Sequence, residues 1–144
     1  MSLKSAIEEL KQIDTGSVVY KERINDRLEI WAFKPGLPGN FRSAEISDYL
    51  LYGDKIDLEK LFMDYSFENG TPRIEKSIFM KAVEKGGLLV IQGIDHCSDA
   101  VISCIDYVAH NDEIQVSTET FKIYDTPTIK VNPDFRMIVT ICNF

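Results

Sequence analysis

The sequence predicts an α/β fold in which a parallel sheet is flanked by helices and carries a small β-hairpin. Two runs point to the sheet. Leu88 to Ile94 and Phe135 to Ile141 are apolar at most positions, the pattern of strands buried on both faces. Around the first run the apolar spacing becomes helical, at Ile74, Ile78, Phe79, Ala82 and Val83 before it and at Val101, Ile102, Ile105 and Val108 after it. Strand, helix, strand, helix, hairpin, strand is the order that folds into a helix-covered parallel sheet.

Each element follows from its residues. Leu3, Ala6, Ile7, Leu10 and Ile13 recur at helical spacing until Thr15-Gly16 stops the pattern. Ser17 to Tyr20 is extended, and residues 27–33 alternate as a strand that ends at the Pro/Gly-rich loop 34–41. The stretch from Ser43 to Leu51 fits either period, and Asp57 to Met63 is a short helix. Residues 66–72, SFENGTP, have the composition of a loop. The helical stripe from Ile74 ends at Gly86, a C-cap residue, and the strand from Leu88 follows it. Ser98 caps the helix running to Val108, with Cys104 on its apolar side. Glu113 to Val116 and Phe121 to Tyr124 alternate as strands; Asp125-Thr126-Pro127 and Asn132-Pro133-Asp134 are turns around Thr128 to Val131. The chain reads as a single domain, 1–144. It stops at Asn143-Phe144 directly after a core strand, so a piece of a longer chain is expected.

Composition narrows the partners. A net charge of −7 over 144 residues opposes nucleic acid, anionic membranes and other acidic polymers, which require a basic footprint. No apolar run reaches bilayer length, and the amphipathic N-terminus is unlike a signal peptide. Three cysteines without a CxxC pair suggest a reducing, cytoplasmic compartment. His96, Cys97, Cys104 and His110 lack the close Cys pair of a structural zinc site, so no metal is expected from them. No Ser/His/Asp or Cys/His constellation stands out as a catalytic site.

The strand 88–94 is placed where a P-loop ATPase holds its metal-binding acid and the acid that orients the attacking water, but those positions read Gln92 and Gly93. Asp95, the nearest carboxylate, is read as a cap or solvated acid beginning the 95–108 region, with a contact to Mg²⁺ as the other reading. The loop holding Gly36, Gly39, Arg42 and Ser43 occupies the position of a phosphate-binding loop. Pro35 and Pro38 remove N–H donors there, and Arg42 stands where the lysine belongs, so the loop reads as a rigid turn. Thr140 and Asn143 lie where a polar sensor of the γ-phosphate would stand, although a Thr within a strand needs no such role.

Three motifs in sequence order then carry a resemblance covering residues 23–144. Trp31, Gly36-Leu37-Pro38, Ser43 and Glu45 form the first, Gln92 the second, and Asn132-Pro133, Phe135-Arg136 and Thr140 the third. Together they resemble the dynein heavy chain, at the fifth AAA+ module of the motor ring, which follows the stalk. Gly39-Asn40 and Ile46-Ser47 depart from its Ser-Asp and Asn-Gly, and the stretch 54–61 barely follows the family. That suits a divergent dynein or a related degenerate AAA+ module. The resemblance implies a partial AAA+ P-loop-type sheet and a structural, non-hydrolysing module that relays conformational change in the ring for microtubule-based movement. It also implies no cofactor in this piece, with ATP and Mg²⁺ in the parent motor. The implied partners are neighbouring AAA+ modules of the same chain and, through the parent, dynein intermediate and light chains, without direct microtubule contact. The implied location is cytoplasm and cytoskeleton, including a ciliary or flagellar axoneme. The alternative is a nucleotide-binding AAA+ ATPase fragment whose phosphate loop precedes Met1, with helix 3–13 following that loop.

Overall fold

A computed structural model describes residues 2–12, 19–33 and 46–141. The loop 34–41, together with Arg42, Ser43, Glu45, Cys142 and Asn143, lies outside them. Helix α1 (Leu3–Gln12) begins behind Ser2, whose Oγ accepts from the Ser5 N–H at 3.1 Å. Its apolar stripe, Leu3, Ala6, Ile7 and Leu10, is buried. Strands β1 (Val19–Arg23) and β2 (Leu28–Phe33) pair antiparallel. After the undescribed stretch come β3 (Tyr49–Tyr52) and a short helix α2 (Leu58–Phe62), capped by Asp57.

The next element differs from its sequence reading. Residues 66–72 belong to a hairpin of β4 (Met63–Glu68) and β5 (Thr71–Lys76). Asn69 and Gly70 both take positive φ, 53° and 79°, the geometry that matches a two-residue turn to the right-handed twist of its strands. Ile74 therefore lies in β5, not on a helix. Helix α3 (Ile78–Lys85) starts where the Ser77 Oγ accepts from the Met80 N–H, and it ends at Gly86 as expected.

Strand β6 (Gly87–Gln92) is shorter than expected because Gly93 adopts a left-handed conformation and Ile94–His96 form a 3₁₀ turn. Helix α4 (Asp99–His110) is capped by Ser98 and buries Val101, Ile102, Ile105 and Val108. Asp95 lies in the 3₁₀ turn and does not cap α4. Strand β7 (Glu113–Gln115) pairs with β8 (Thr128–Lys130), while Phe121–Tyr124 is a turn and not a strand. That correction has a packing cause. Phe121 and Tyr124 turn inward to Phe62, with Phe62–Phe121 ring centroids 5.2 Å apart, instead of alternating across a ladder. Strand β9 (Phe135–Ile141) ends the described chain.

The main sheet has the order β1-β2-β9-β6-β3. All its pairings are parallel except that of edge strand β1. After β2 the chain crosses to β3 at the far edge, then steps back through β6 to β9, which inserts between β6 and β2. One face, with Leu28, Ile30, Ala32, Leu89, Ile91, Met137 and Val139, shares a core with the buried residues of α1 to α4. The other face carries a smaller cluster of Trp31, Val90 and Ile138. The β1–β2 turn locks onto the C-terminal end of α4, where unsatisfied carbonyls would otherwise be left. The Arg27 guanidinium donates to the Val108 and Asn111 carbonyls at 2.9 and 2.8 Å, and the Asn25 amide donates to that of Ala109.

Candidate functional site

In open α/β sheets ligands bind beyond the carboxyl ends of the strands, where the strand order reverses. Here that edge is formed by the tips of β2, β9, β6 and β3. Register aligns Trp31, Thr140, Gln92 and Tyr52 into one row across it. Gly36, Gly39, Arg42 and Ser43 follow β2 in the sequence and lie outside the described residues. Strand β9 separates the β2 tip from β6, so Gln92 stands two strand spacings, about 10 Å, from Trp31.

The structure brings Gln92, Gly93 and Thr140 together. Thr140 is fully buried, and both its carbonyl and its Oγ1 accept from the Gly93 N–H at 3.1 Å. Gly93 has φ 78° and ψ 50°, the left-handed region favoured by glycine. A Cβ there would also lie 2.9 Å from Cδ2 of the His96 ring. The sensor-like Thr140 thus helps to hold the β6 tip against β9.

Two further residues meet at this edge: Gly53, which no motif marked, and Cys97, weighed from the sequence only as a metal ligand. A Cβ on Gly53 would sit 2.0 Å from the Gly93 carbonyl oxygen, so the backbone beyond β3 approaches the β6 tip as closely as glycine permits. The Cys97 thiol donates to the Gly53 carbonyl at 3.6 Å. Burial, followed by the charges of Asp95 and Asp54, pushes that thiol up to about 11. Only a glycine directly after the apolar YLLY hinted at the close approach, and nothing in sequence connects Gly53 with Gly93.

Magnesium takes hard oxygen ligands, carboxylates above all, and hydrolysis further needs an acid to orient water. The β6 tip offers a neutral amide and a glycine whose N–H is already engaged, which does not fit a magnesium nucleotide. Asp95 does not replace the missing acid. It lies in the 3₁₀ turn after the β6 tip, and its charge bears on the Cys97 thiol. Its Oδ1 is buried without a hydrogen-bond partner among the described residues. Among those residues no three His, Cys, Asp or Glu side chains gather as a metal site, and no helix is long and apolar enough to cross a membrane. His96 is exposed beside Gly93, whereas His110 lies at the far end of α4.

A cleft of about 1000 Å³ opens at the opposite edge of the sheet, lined by Arg27, Glu84, Asp112, Lys130 and Arg136 among others. Charges of both signs face it, and its arginines bond to backbone carbonyls. It therefore offers no concentrated field for a charged ligand.

Comparison with known protein families matches residues 47–143 to the AAA domain (dynein-related subfamily). The matched span is two thirds of the chain and contains Gln92, Gly93 and Thr140; Trp31 and residues 34–45 precede it. A search of curated proteins finds no match.

Proposed function

Because this chain belongs to the dynein-related subfamily of AAA domains, we propose that it is a structural, non-hydrolysing AAA+ module of a dynein-type motor. Its role is to relay conformational change within the motor ring during microtubule-based movement. The observation that carries this reading is the β6 tip, where Gln92 and a conformationally constrained Gly93 replace the two acids and the Gly93 N–H is bonded to Thr140. Without those acids the module lacks both the charge that holds Mg²⁺ and the group that orients a nucleophilic water. The laced tips of β3, β6 and β9 suit a body that transmits displacement by moving as one piece. Its partners in this reading are neighbouring AAA+ modules of the parent chain, and intermediate and light chains reached through that parent. It works in the cytoplasm and cytoskeleton, axonemes included, without touching nucleic acid, membrane or the microtubule.

Titration calorimetry with ATP and ADP in the presence of Mg²⁺ tests the reading. The expected trace is dilution heat alone; tight binding together with turnover would remove the structural role. A second reading, a nucleotide-binding AAA+ fragment whose phosphate loop precedes Met1, has one observation in its favour, the buried oxygen of Asp95 that finds no hydrogen-bond partner among the described residues. It requires a chain extended upstream of Met1 to bind ATP and to lose that binding in Asp95→Asn.

A further inference from the structure

The β4–β5 hairpin is an arm. From Tyr65 to Ile74 every residue is exposed, including Phe67 at 79%, so buried contacts begin only at its two roots, Phe62-Met63 and Lys76-Ser77. An arm without buried contacts along its length takes its direction from those roots. They are tied to each other by Ser77, whose Oγ donates to the Leu61 carbonyl at 2.6 Å and whose N–H donates to the Phe62 carbonyl at 3.2 Å.

A second donor reaches the same Phe62 carbonyl. Tyr124, 62 residues further along the chain, belongs to the connection between β7 and β8; its Oη donates to that carbonyl at 2.6 Å, and its side chain is buried. The ring is held on two further sides. Phe121 meets it edge-on and also packs against Phe62, while the Lys76 ammonium, bonded to Glu84 at 3.0 Å, lies 5.3 Å from its centre. Both roots of the arm therefore touch one side chain. The connection bearing Tyr124 is itself pinned, by the Val116 N–H on the Pro127 carbonyl and by the Phe121 N–H on that of Ser117. From there the chain runs through β8 into β9, whose Thr140 is bonded to Gly93.

From this arrangement we infer that Tyr124 is a positioning residue that couples the hairpin to the β7–β8 connection, so that the direction of the arm follows the body carrying β9. The inference goes beyond the proposed function and is independent of nucleotide binding. Such a coupling is reciprocal by linkage: loosening either partner loosens the other.

Amide hydrogen exchange on the intact chain tests it in both directions without nucleotide. Tyr124→Phe keeps the ring and removes the hydroxyl. The expected result is exchange about 10-fold faster in residues 63–77, while β6 and β9 stay within about two-fold of the parent, as for a local opening. Gly70→Val, placed at φ 79° in the exposed turn, loosens the arm from its far end, and Phe121 and Tyr124 are then expected to lose protection. Unchanged hairpin exchange in Tyr124→Phe, or uniform acceleration across the sheet, overturns the coupling. So does a Gly70→Val chain whose arm exchanges faster while Phe121 and Tyr124 do not.

Discussion

Replacing Gly53 by alanine tests whether the β3 and β6 tips are locked together. The added Cβ would stand 2.0 Å from the Gly93 carbonyl oxygen and 3.2 Å from the Cys97 sulfur. Close carbon-to-oxygen contacts settle near 3.3 Å, so the two backbones must part by about 1.3 Å. Neither can do so freely, because Tyr52 is paired with Gln92 and the Gly93 N–H is bonded to Thr140. Overpacking of this kind costs about 1–3 kcal/mol, against a gain of about 0.4–1 kcal/mol from restricting the unfolded chain. The net expectation is a loss of about 1.3 kcal/mol, which lowers the melting temperature by roughly 4 °C for a chain of this length. Thermal unfolding followed by far-ultraviolet circular dichroism reads it directly. A melting temperature equal to or above that of the parent would refute the close approach, since only the unfolded-state gain would then be acting.

Thr140→Val preserves shape and removes the Oγ1 acceptor of the Gly93 N–H; a loss of about 1–2 kcal/mol is expected by urea unfolding. Gly70→Ala meets no atom within 4 Å but sits at φ 79°, so it is expected to lose about 1 kcal/mol through backbone strain alone, read in the same titration. Cys97 and Cys104 are both raised to about 11, chiefly by burial, from an ordinary value of 9.0. At pH 8 their thiolate fractions, and hence iodoacetamide labelling rates, are expected to be about 100-fold below those of the urea-unfolded chain, resolved by peptide mass spectrometry. The same shifts set the sign of the alkaline response. Below pH 9 both states hold the protons; between pH 9 and 11 the unfolded chain releases them first, so stability is expected to fall across that window. Stability that instead rises from pH 9 to 11 would contradict the burial of these thiols.

The parallel core was legible because its strands bury both faces. Leu88 to Gln92 and Phe135 to Ile141 are apolar enough to read without knowing their neighbours, and Ser98 and Gly86 mark helix ends by their own chemistry. The hairpin at 63–76 escaped for the opposite reason. Tyr65, Phe67 and Ile74 share its exposed face, so no burial pattern announces it, and the Asn69-Gly70 turn signal lay inside a stretch of loop-like composition. Phe121 and Tyr124 alternate like a strand, yet they are drawn inward by Phe62, a partner distant in sequence. At the candidate site Gln92, Gly93 and Thr140 were identifiable by position. Gly53 was not, because its constraint arises only when the tip of β3 meets that of β6.

The most direct test of the central claim is phosphate release from ATP in the presence of Mg²⁺, measured on the whole chain. A rate no greater than that of buffer is expected, in the parent and in Gln92→Ala alike. Magnesium-dependent turnover by the parent that Gln92→Ala abolishes would contradict it, because the β6 tip would then be a working site.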